Sequence, residues 1–234
     1  YFIKEDGSLW ATGQGDSGQI GDGGSINYDY LVQVDPGNVV GVDGGLNFAH
    51  YVKDDGSLWG MGYNTNGELG DGTSSTQTTK VQILGSGVLK VSDGDSFSVI
   101  LKDDGSVWAS GLGSEGQIGD GAAVARTSYV SVSGMSSNVI DIATGERHAL
   151  FLKDDGSVWG TGYNFYGQLG DGSTTQQNTP IQIFGANVQS IFAGKSTSFF
   201  LMVDGTLWAT GQGDGGQFGD GGVSNVSTPV QVAA

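Results

Sequence analysis

The sequence predicts an all-β protein made of five repeated units, and three observations predict this fold class. The five tryptophans of the 234-residue chain recur at intervals of 49, 49, 51 and 49 residues. Two glycine-containing blocks recur in the same register around each of them. No segment shows a sustained apolar period of 3.6 residues, so no helix of ordinary length is expected. The tryptophans are Trp10, Trp59, Trp108, Trp159 and Trp208.

The first part of each unit predicts a β-hairpin. In the second unit an apolar run from Phe48 to Lys53 leads into Asp55-Gly56, and Ser57-Leu58-Trp59 leads out again. Asp-Gly suits the tight turns of hairpins because glycine adopts positive φ without steric cost. The same arrangement recurs before every tryptophan.

The second part of each unit predicts two further strands. Eight residues after Trp59 begins the block Gly67-Glu68-Leu69-Gly70-Asp71-Gly72, and Val81-Gln82-Ile83 then alternates apolar and polar residues. Such alternation is typical of a half-buried strand, and Val88 to Val91 supply the remaining one. Several short strands in a unit of about 50 residues predict a blade of a β-propeller. The predicted units are 1–38, 39–87, 88–138, 139–187 and 188–234, forming one domain over 1–234.

Composition excludes several classes of protein and site. The chain has 44 glycines without a strict Gly-X-Y period, which excludes collagen. It has no cysteine, which excludes disulfides and thiolate metal sites. No apolar run approaches the ~18 residues of a membrane span. The net charge of -16 argues against nucleic-acid partners, because an acidic surface repels phosphates.

The repeat gives most chemically interesting residues a structural interpretation. Of the 25 acids, 14 occupy repeated turn or block positions, where Asp accepts hydrogen bonds from nearby amides. The ligand spacing of a calcium loop is absent. The two histidines, His50 and His148, lie in different registers, and no set of residues stands out as catalytic. We therefore expect no enzymatic activity, no metal and no cofactor.

The third unit carries a family resemblance. Leu101-Lys102-Asp103-Asp104-Gly105-Ser106-Val107-Trp108, followed by Gly116-Gln117-Ile118-Gly119-Asp120-Gly121, resembles the repeat of the regulator of chromosome condensation family, in the form seen in bacterial extracellular proteins. The resemblance implies a β-propeller that binds partners through loops on one face. The family has seven blades, so closing a ring of five would require an altered joint, further N-terminal residues or another chain. We expect a compact five-bladed propeller, with a partial or intermolecularly completed one as the alternative.

Candidate binding residues lie where the units differ at equivalent positions, because loops on a rigid frame tolerate substitution. Aromatic, Asn and Arg residues at these positions suit contacts with a protein or a glycan. The cluster of Tyr163, Phe165 and Tyr166 is the sharpest prediction, and its alternative is packing against the next blade. The full set is Tyr28, Tyr30, Tyr63, Asn64, Arg126, Arg147, Tyr163, Asn164, Phe165 and Tyr166.

These observations predict a non-catalytic, secreted or cell-surface module that binds a protein or a glycan. One alternative is a structural subunit of an extracellular oligomer or fibre, completed by strand pairing between copies. Another is a protein inhibitor of a secreted enzyme. A hydrolase would require an acid with a perturbed pKa in a central cleft. The family's nucleotide-exchange role on chromatin fits poorly, because the chain is acidic and has no basic tail.

Overall fold

The structure, a computed structural model, describes residues 1–219 and 221–232, which form nineteen strands and no helix. The strands make five antiparallel sheets, which we call blades 1 to 5 in chain order. The all-β propeller fold is thereby confirmed. Blade 1 contains β1 (Phe2–Ile3), β2 (Leu9–Gly13) and β3 (Tyr28–Asp35). Blade 2 contains β4 (Val39–Gly44), β5 (Phe48–Lys53), β6 (Leu58–Gly62) and β7 (Gln77–Leu84).

The remaining blades repeat the four-stranded pattern of blade 2, and the first strands of successive blades pack against one another at the inner side. Blade 3 contains β8 (Val88–Asp93), β9 (Phe97–Lys102), β10 (Val107–Gly111) and β11 (Arg126–Ser131). Blade 4 contains β12 (Val139–Thr144), β13 (His148–Lys153), β14 (Val158–Gly162) and β15 (Gln177–Phe184). Blade 5 contains β16 (Val188–Ala193), β17 (Thr197–Met202), β18 (Leu207–Gly211) and β19 (Val226–Gln231).

The repeated Asp-Gly-Ser segment forms the hairpin turn that the sequence predicts. In blade 2, Gly56 has φ of 76°, and the carboxylate of Asp55 accepts a hydrogen bond from the Ser57 amide at 2.9 Å. The Ser57 hydroxyl in turn accepts one from the indole of Trp59 at 3.1 Å. The turn and the tryptophan are therefore held by one local network, which explains why they recur together.

Four hydrophobic clusters join the five blades in series. Alternate residues of a middle strand face opposite neighbours: Tyr51 packs against Leu9 of blade 1, whereas Val52 packs against Ile100 of blade 3. All four residues are buried. Each blade is thus covered on both faces only when it has a neighbour on both sides.

The second glycine block locks each blade to the next. A Cβ on Gly67 of blade 2 would lie 2.4 Å from the Cα of Thr127 in blade 3, so only glycine allows this approach. The Gly72 amide donates to the Thr127 carbonyl at 2.8 Å, and the Ser110 hydroxyl donates to the Gly67 carbonyl at 2.6 Å. The glycine excess therefore has a packing cause between blades as well as a turn cause within them.

The five blades form an open series. Among the described residues, no hydrophobic cluster, hydrogen bond or ion pair joins blade 5 to blade 1. The described residues thus show five blades in series and no contact that closes them into a ring of five. The sheet of blade 1 contains the three strands β1, β2 and β3, in the order β1-β2-β3.

Candidate binding surface

One end of the propeller carries the variable loops, and we call it the upper face. It contains the loops between the first and second strands of blades 2 to 5 and the long loops that lead to the outermost strand of each blade. Tyr63, Asn64, Arg147 and the segment 163–166 lie in these loops. The other predicted residues, Tyr28, Tyr30 and Arg126, lie in outermost strands instead.

A pocket of about 470 Å³ opens on the upper face between blades 4 and 5. Its walls combine aromatic, charged and amide side chains, which makes it amphipathic. Three of the ten predicted residues line it, and four neighbouring residues complete it. The lining is Glu146, Arg147, Tyr163, Tyr166, Lys195, Ser196 and Gln212.

An aromatic cluster forms one wall of this pocket and extends beyond it. The rings of Tyr163 and Phe165 stack with centroids 6.3 Å apart, and Tyr166 meets Phe165 edge to face at 5.2 Å. Phe165 is nevertheless 65% exposed. The cluster therefore packs within its own loop and leaves its central ring in solvent, so the alternative of burial against the next blade is wrong for Phe165.

Charged side chains form the opposite wall. The guanidinium of Arg147 lies 3.0 Å from Glu115 and 3.5 Å from Glu146, and the Lys195 ammonium lies 3.4 Å from Glu146. Partial burial opposes the charge of Arg147, but the two carboxylates outweigh it and raise the Arg147 pKa. Arg147 is thus a fixed cation whose planar group is held between blades 3 and 4.

The backbone beneath the pocket is tied across successive blades. The Asp95 amide donates to the Glu146 carbonyl at 2.9 Å, and the Glu146 amide donates to the Lys195 carbonyl at 3.0 Å. Burial and then the nearby Glu146 charge raise the pKa of Asp95. These bonds fix the relative positions of the loops, so the side chains project from a rigid base.

Asn64 and Asn164 are not surface residues, which corrects their place among the binding residues. Both are fully buried. The Asn64 amide nitrogen donates to the carboxylate of Asp71 and the carbonyl of Ser75, and its oxygen accepts from the Leu69 amide at 2.9 Å. Asn164 repeats this network. Their side chains hold the loop and have no group left for a partner.

The other predicted residues lie away from the pocket. Arg126 makes a paired contact with Asp120, at 2.6 and 2.7 Å. Tyr28 donates a hydrogen bond to Asp22, and its ring meets Tyr30 edge to face. Tyr63 is partly exposed on blade 2, at the position that Tyr163 occupies on blade 4. The structure therefore brings together Arg147, Tyr163, Phe165 and Tyr166 and leaves the rest separate.

The sequence-based site omitted Glu146, Lys195, Ser196 and Gln212. Lys195 and Ser196 stand in blade 5 where Glu146 and Arg147 stand in blade 4, and Gln212 stands where Tyr163 stands. Repeat register predicts that these positions recur at the same end of every blade. The sequence therefore contained the positions of the pocket residues. The pocket itself becomes apparent only when the equivalent positions of two adjacent blades are considered together.

Beneath the upper face lie two buried histidines with different hydrogen-bond partners. His50 Nδ1 lies 2.9 Å from the Asp93 carboxylate, and Nε2 lies 3.3 Å from the Leu69 carbonyl. A carbonyl only accepts, so Nε2 carries a proton. Burial opposes the charge, but Asp93 outweighs it and raises the His50 pKa. Burial lowers the pKa of His148 to about 4, which leaves it neutral at pH 7.

The acids near these histidines serve the fold. Burial and then the Asp93 charge raise the pKa of Asp43, but the Asp43 carboxylate accepts hydrogen bonds from the amides of Asp93 and Gly44.

No group of three or more metal-ligating side chains occurs in the part of the chain that the structure describes. The same residues contain no helix long and apolar enough to cross a bilayer.

Comparison with solved structures shows the propeller fold. The human WBSCR16 crystal structure matches 99% of this chain and 64% of its own length, with 21% identity and a TM-score of 0.87. Yeast RCC1 (Prp20), in a structure bound to Kap60, matches 97% of this chain and 57% of its own length, with 18% identity and a TM-score of 0.80. Prp20p from Saccharomyces cerevisiae matches 97% of this chain and 59% of its own length, with 20% identity and a TM-score of 0.78. The chain thus spans about three fifths of these proteins.

Comparison with family models identifies the repeat. One model described as the regulator of chromosome condensation (RCC1) repeat matches residues 88–117 and 139–168. A second model of the same description matches residues 55–101 and 155–201. Together these matches cover more than half of the chain. The chain therefore belongs to the regulator of chromosome condensation (RCC1) repeat family.

Proposed function

We propose that this chain is a protein-binding module whose contact surface is the pocket and aromatic cluster between blades 4 and 5. The observation that carries the proposal is Phe165, a large apolar ring that is 65% exposed although Tyr163 and Tyr166 hold it in place. An aromatic ring fixed before binding loses little conformational entropy when a partner covers it. Phe165 is therefore suited to be the central anchor of an interface.

The charges around the anchor favour a polypeptide partner. Arg147 and aromatic rings are the residue types enriched in protein interfaces. The alternating signs of Glu146, Arg147 and Lys195 would select a partner with complementary charges and would guide its approach. Ser196 and Gln212 add hydrogen-bonding groups for a peptide backbone. A glycan is the alternative ligand. If the partner is a protein, one specific possibility is a secreted enzyme that this module inhibits.

The related structures are consistent with binding through the propeller. Yeast RCC1 (Prp20) was crystallised with Kap60, and Prp20p was studied for binding to Gsp1p and histones. We carry over only the idea that the scaffold presents a protein-binding surface. The side chains of this site differ from one blade to the next within this chain, so they have to specify the partner.

We also propose that the module acts outside the cell or on its surface and that it is not catalytic. The support for this location is compositional: 9 basic against 25 acidic residues keep the surface strongly anionic, which favours solubility and disfavours nucleic acid. Immunostaining of intact and permeabilised source cells tests the location. Signal from intact cells supports the proposal, and signal only after permeabilisation contradicts it.

Selection from a random peptide display library tests the binding surface. The immobilised chain is compared with the double variant Tyr163→Ala/Phe165→Ala and with the matched control Tyr63→Ala/Thr65→Ala, which changes the equivalent loop of blade 2. We expect peptides that bind the wild type and the control and lose binding to the double variant. Peptides that bind all three proteins equally would place the contact elsewhere. A glycan array, with the same three proteins, tests the alternative ligand class.

A further inference from the structure

We propose that a groove between blades 2 and 3 binds a basic segment of a partner protein, in which an apolar side chain is flanked by lysine or arginine. The groove lies at the end of the propeller that carries the Asp-Gly hairpin turns, opposite the upper face. We call it the lower groove. It has a volume of about 380 Å³, and it is separate from the pocket of the proposed function. Its lining includes Val40, Leu89, Gly87, Asp54, Asp55 and Asp103.

The lower groove lies inside the series of blades, because blades 2 and 3 each have a neighbour on both sides. The Gly56 carbonyl in the turn of blade 2 accepts a hydrogen bond from the Val88 amide of blade 3 at 3.0 Å. A Cβ on Gly56 would lie 2.8 Å from the Gly87 nitrogen, so glycine is required for this approach. The Asp103 amide in the turn of blade 3 donates to the Gly87 carbonyl at 3.0 Å. Both turns that border the groove are therefore anchored at Gly87 and Val88.

Val40 and Leu89 give the groove an apolar surface that the fold leaves in solvent. Each side chain is 60% exposed. They occupy equivalent positions on the first strands of their blades. The strand register shifts at both positions, so each residue is the extra residue of a β-bulge and is not paired with the middle strand. Covering these two side chains with an apolar group would remove apolar area from water.

Gly87 keeps the groove open at this junction. The equivalent residues of the other blades are Asn38, Asn138 and Asn187, which have φ between 66° and 70°. Gly87 has φ of 82°. A Cβ at this position would have the Asp103 carboxylate as its nearest neighbour, at 3.6 Å, which is ordinary contact. Asparagine tolerates positive φ, so the backbone does not require glycine here. The missing side chain leaves space for a side chain of the partner.

The charged side chains make the groove negative. Asp54, Asp55 and Asp103 are all exposed. The side chains of Asp54 and Asp103 make no hydrogen bond or ion pair with the described residues. Lys53 also lines the groove, but its ammonium lies 2.9 Å from the buried carboxylate of Asp35, which matches its charge. The carboxylates of the groove are therefore available to cations of a partner.

A basic polypeptide segment is the occupant that fits both the apolar and the charged surface. Lysine and arginine place their charged ends near carboxylates while their aliphatic stems cover apolar surface. Opposite charges also guide the approach of such a segment and select against acidic ones. The net charge of -16 adds to this discrimination. A leucine, isoleucine or valine between the basic residues would fill the space at Gly87, between Val40 and Leu89.

The next two junctions each lack a part of this combination. Between blades 3 and 4 the apolar pair is Leu89 and Ile140, but Asn138 stands in place of Gly87. Between blades 4 and 5, Gln189 stands in place of Leu89 and Val203 in place of Asp103. The repeat thus provides residues for control variants that the fold already accepts at equivalent positions.

Selection from a display library of random peptides tests the proposal with the full chain. The library is first depleted on immobilised Gly87→Asn, which carries the residue of the three equivalent positions and fills the groove. This step also removes peptides that bind the pocket on the upper face. The peptides that the wild type then retains should combine lysine or arginine with leucine, isoleucine or valine. A selection that retains no peptide, or retains only neutral or acidic peptides, would overturn the proposal.

Fluorescence anisotropy of one retained peptide measures the contribution of each surface. Leu89→Ser and the double variant Asp54→Asn/Asp103→Asn should each weaken binding about 10-fold at low salt. The control is Glu5→Gln/Asp154→Asn, which removes the same charge from the equivalent positions of blades 1 and 4. It should weaken binding less than about 2-fold. An equal loss in the control would assign the attraction to net charge alone and would contradict a site in the groove.

Salt dependence and the pocket variant complete the test. Raising sodium chloride from about 0.05 M to about 0.5 M should weaken binding to the wild type about 10-fold, because salt screens exposed charges. An affinity that salt does not change would remove the carboxylates from the site. The pocket variant Tyr163→Ala/Phe165→Ala should bind the peptide as the wild type does. Loss of binding in that variant would place the peptide on the upper face and overturn the proposal. Circular dichroism establishes that every variant is folded.

Discussion

The upper surface of blades 4 and 5 and the equivalent surface of blades 2 and 3 share one backbone and differ in side chains. The loop amides of Tyr63 and Tyr163 each donate to a carbonyl of the inner loop at 2.9 Å. Beyond that, blade 4 carries Phe165 where blade 2 carries Thr65. The aromatic and charged pocket thus results from a few substitutions on a common frame, and not from a local change of fold.

The two regions differ in their buried charge as well. Below the surface of blades 2 and 3, His50 is paired with Asp93 and both side chains are inaccessible. Below the surface of blades 4 and 5, the Ser198 hydroxyl donates its hydrogen bond to the Gln168 carbonyl. The Ser198 oxygen therefore accepts a hydrogen bond from Nε2 of His148. His148 Nδ1 has no hydrogen-bond partner among the residues that the structure describes. One region pairs its histidine with a carboxylate, and the other pairs its histidine with a hydroxyl.

The largest expected effect tests what the two regions share. Asn64→Ala and Asn164→Ala should each lower the free energy of unfolding by about 3 kcal/mol, because each leaves several buried backbone groups unpaired. Urea unfolding of both variants measures this loss. Thr65→Ala, an exposed control in the same loop, should change stability by less than about 0.5 kcal/mol. Clearly unequal losses for the two asparagines would contradict a common frame.

The next effect tests what separates the regions. Phe165→Thr gives blade 4 the residue of blade 2, and it should weaken binding of a display-selected peptide about 30-fold, as expected for loss of a central aromatic anchor. Titration calorimetry measures the affinity. The reverse change, Thr65→Phe, should leave it unaltered. An unchanged affinity in Phe165→Thr would remove Phe165 from the interface.

Sequence reasoning predicted the frame better than the site, for a physical reason. Strands and turns follow from local patterns, such as the Asp55-Gly56 turn, that repeat five times and reinforce one another. The buried role of Asn64 depends on carbonyls nine and eleven residues later, which point inward only in the folded loop. The pocket needs residues of two blades, such as Arg147 and Lys195, and their proximity follows from blade stacking rather than from spacing in sequence.

A smaller effect concerns acid stability. The pKa of His148 is about 4 in the fold against about 6.5 when unfolded, so its contribution is present above pH 6.5 and is lost as the pH falls towards 4. The loss between pH 7 and pH 5.5 should be about 1 kcal/mol. His148→Phe, which introduces the residue of the equivalent positions 48 and 97, should abolish this loss in unfolding curves measured from pH 7 to 5.5.

His50 should behave in the opposite sense. Its folded pKa is raised, so its stabilisation is complete below the unfolded pKa and disappears as the pH rises through the folded one. Nuclear magnetic resonance titration of the two rings separates them: the His50 ring should stay protonated at pH values where the His148 ring is neutral. Identical titration of both rings would contradict the contrast between the regions.

The smallest expected effect is a gain of binding. Asn47→Arg/Thr65→Phe gives blade 2 the equivalents of Arg147 and Phe165, next to the existing Tyr63. The new site should bind the selected peptide at least about 10-fold more weakly than the native site, because Asp95 stands there in place of Lys195. Calorimetry should show the stoichiometry rise from one towards two. Binding equal to the native site would mean that the charged wall contributes nothing.

Amide hydrogen exchange with and without the selected peptide tests the central claim most directly. If the surface of blades 4 and 5 is the contact site, protection will appear in 145–147, 163–166 and 194–196, while the equivalent loops 45–47 and 63–66 exchange as before. Protection of the blade 2 loops to the same extent, or protection only at the terminal faces of blades 1 and 5, would contradict the account.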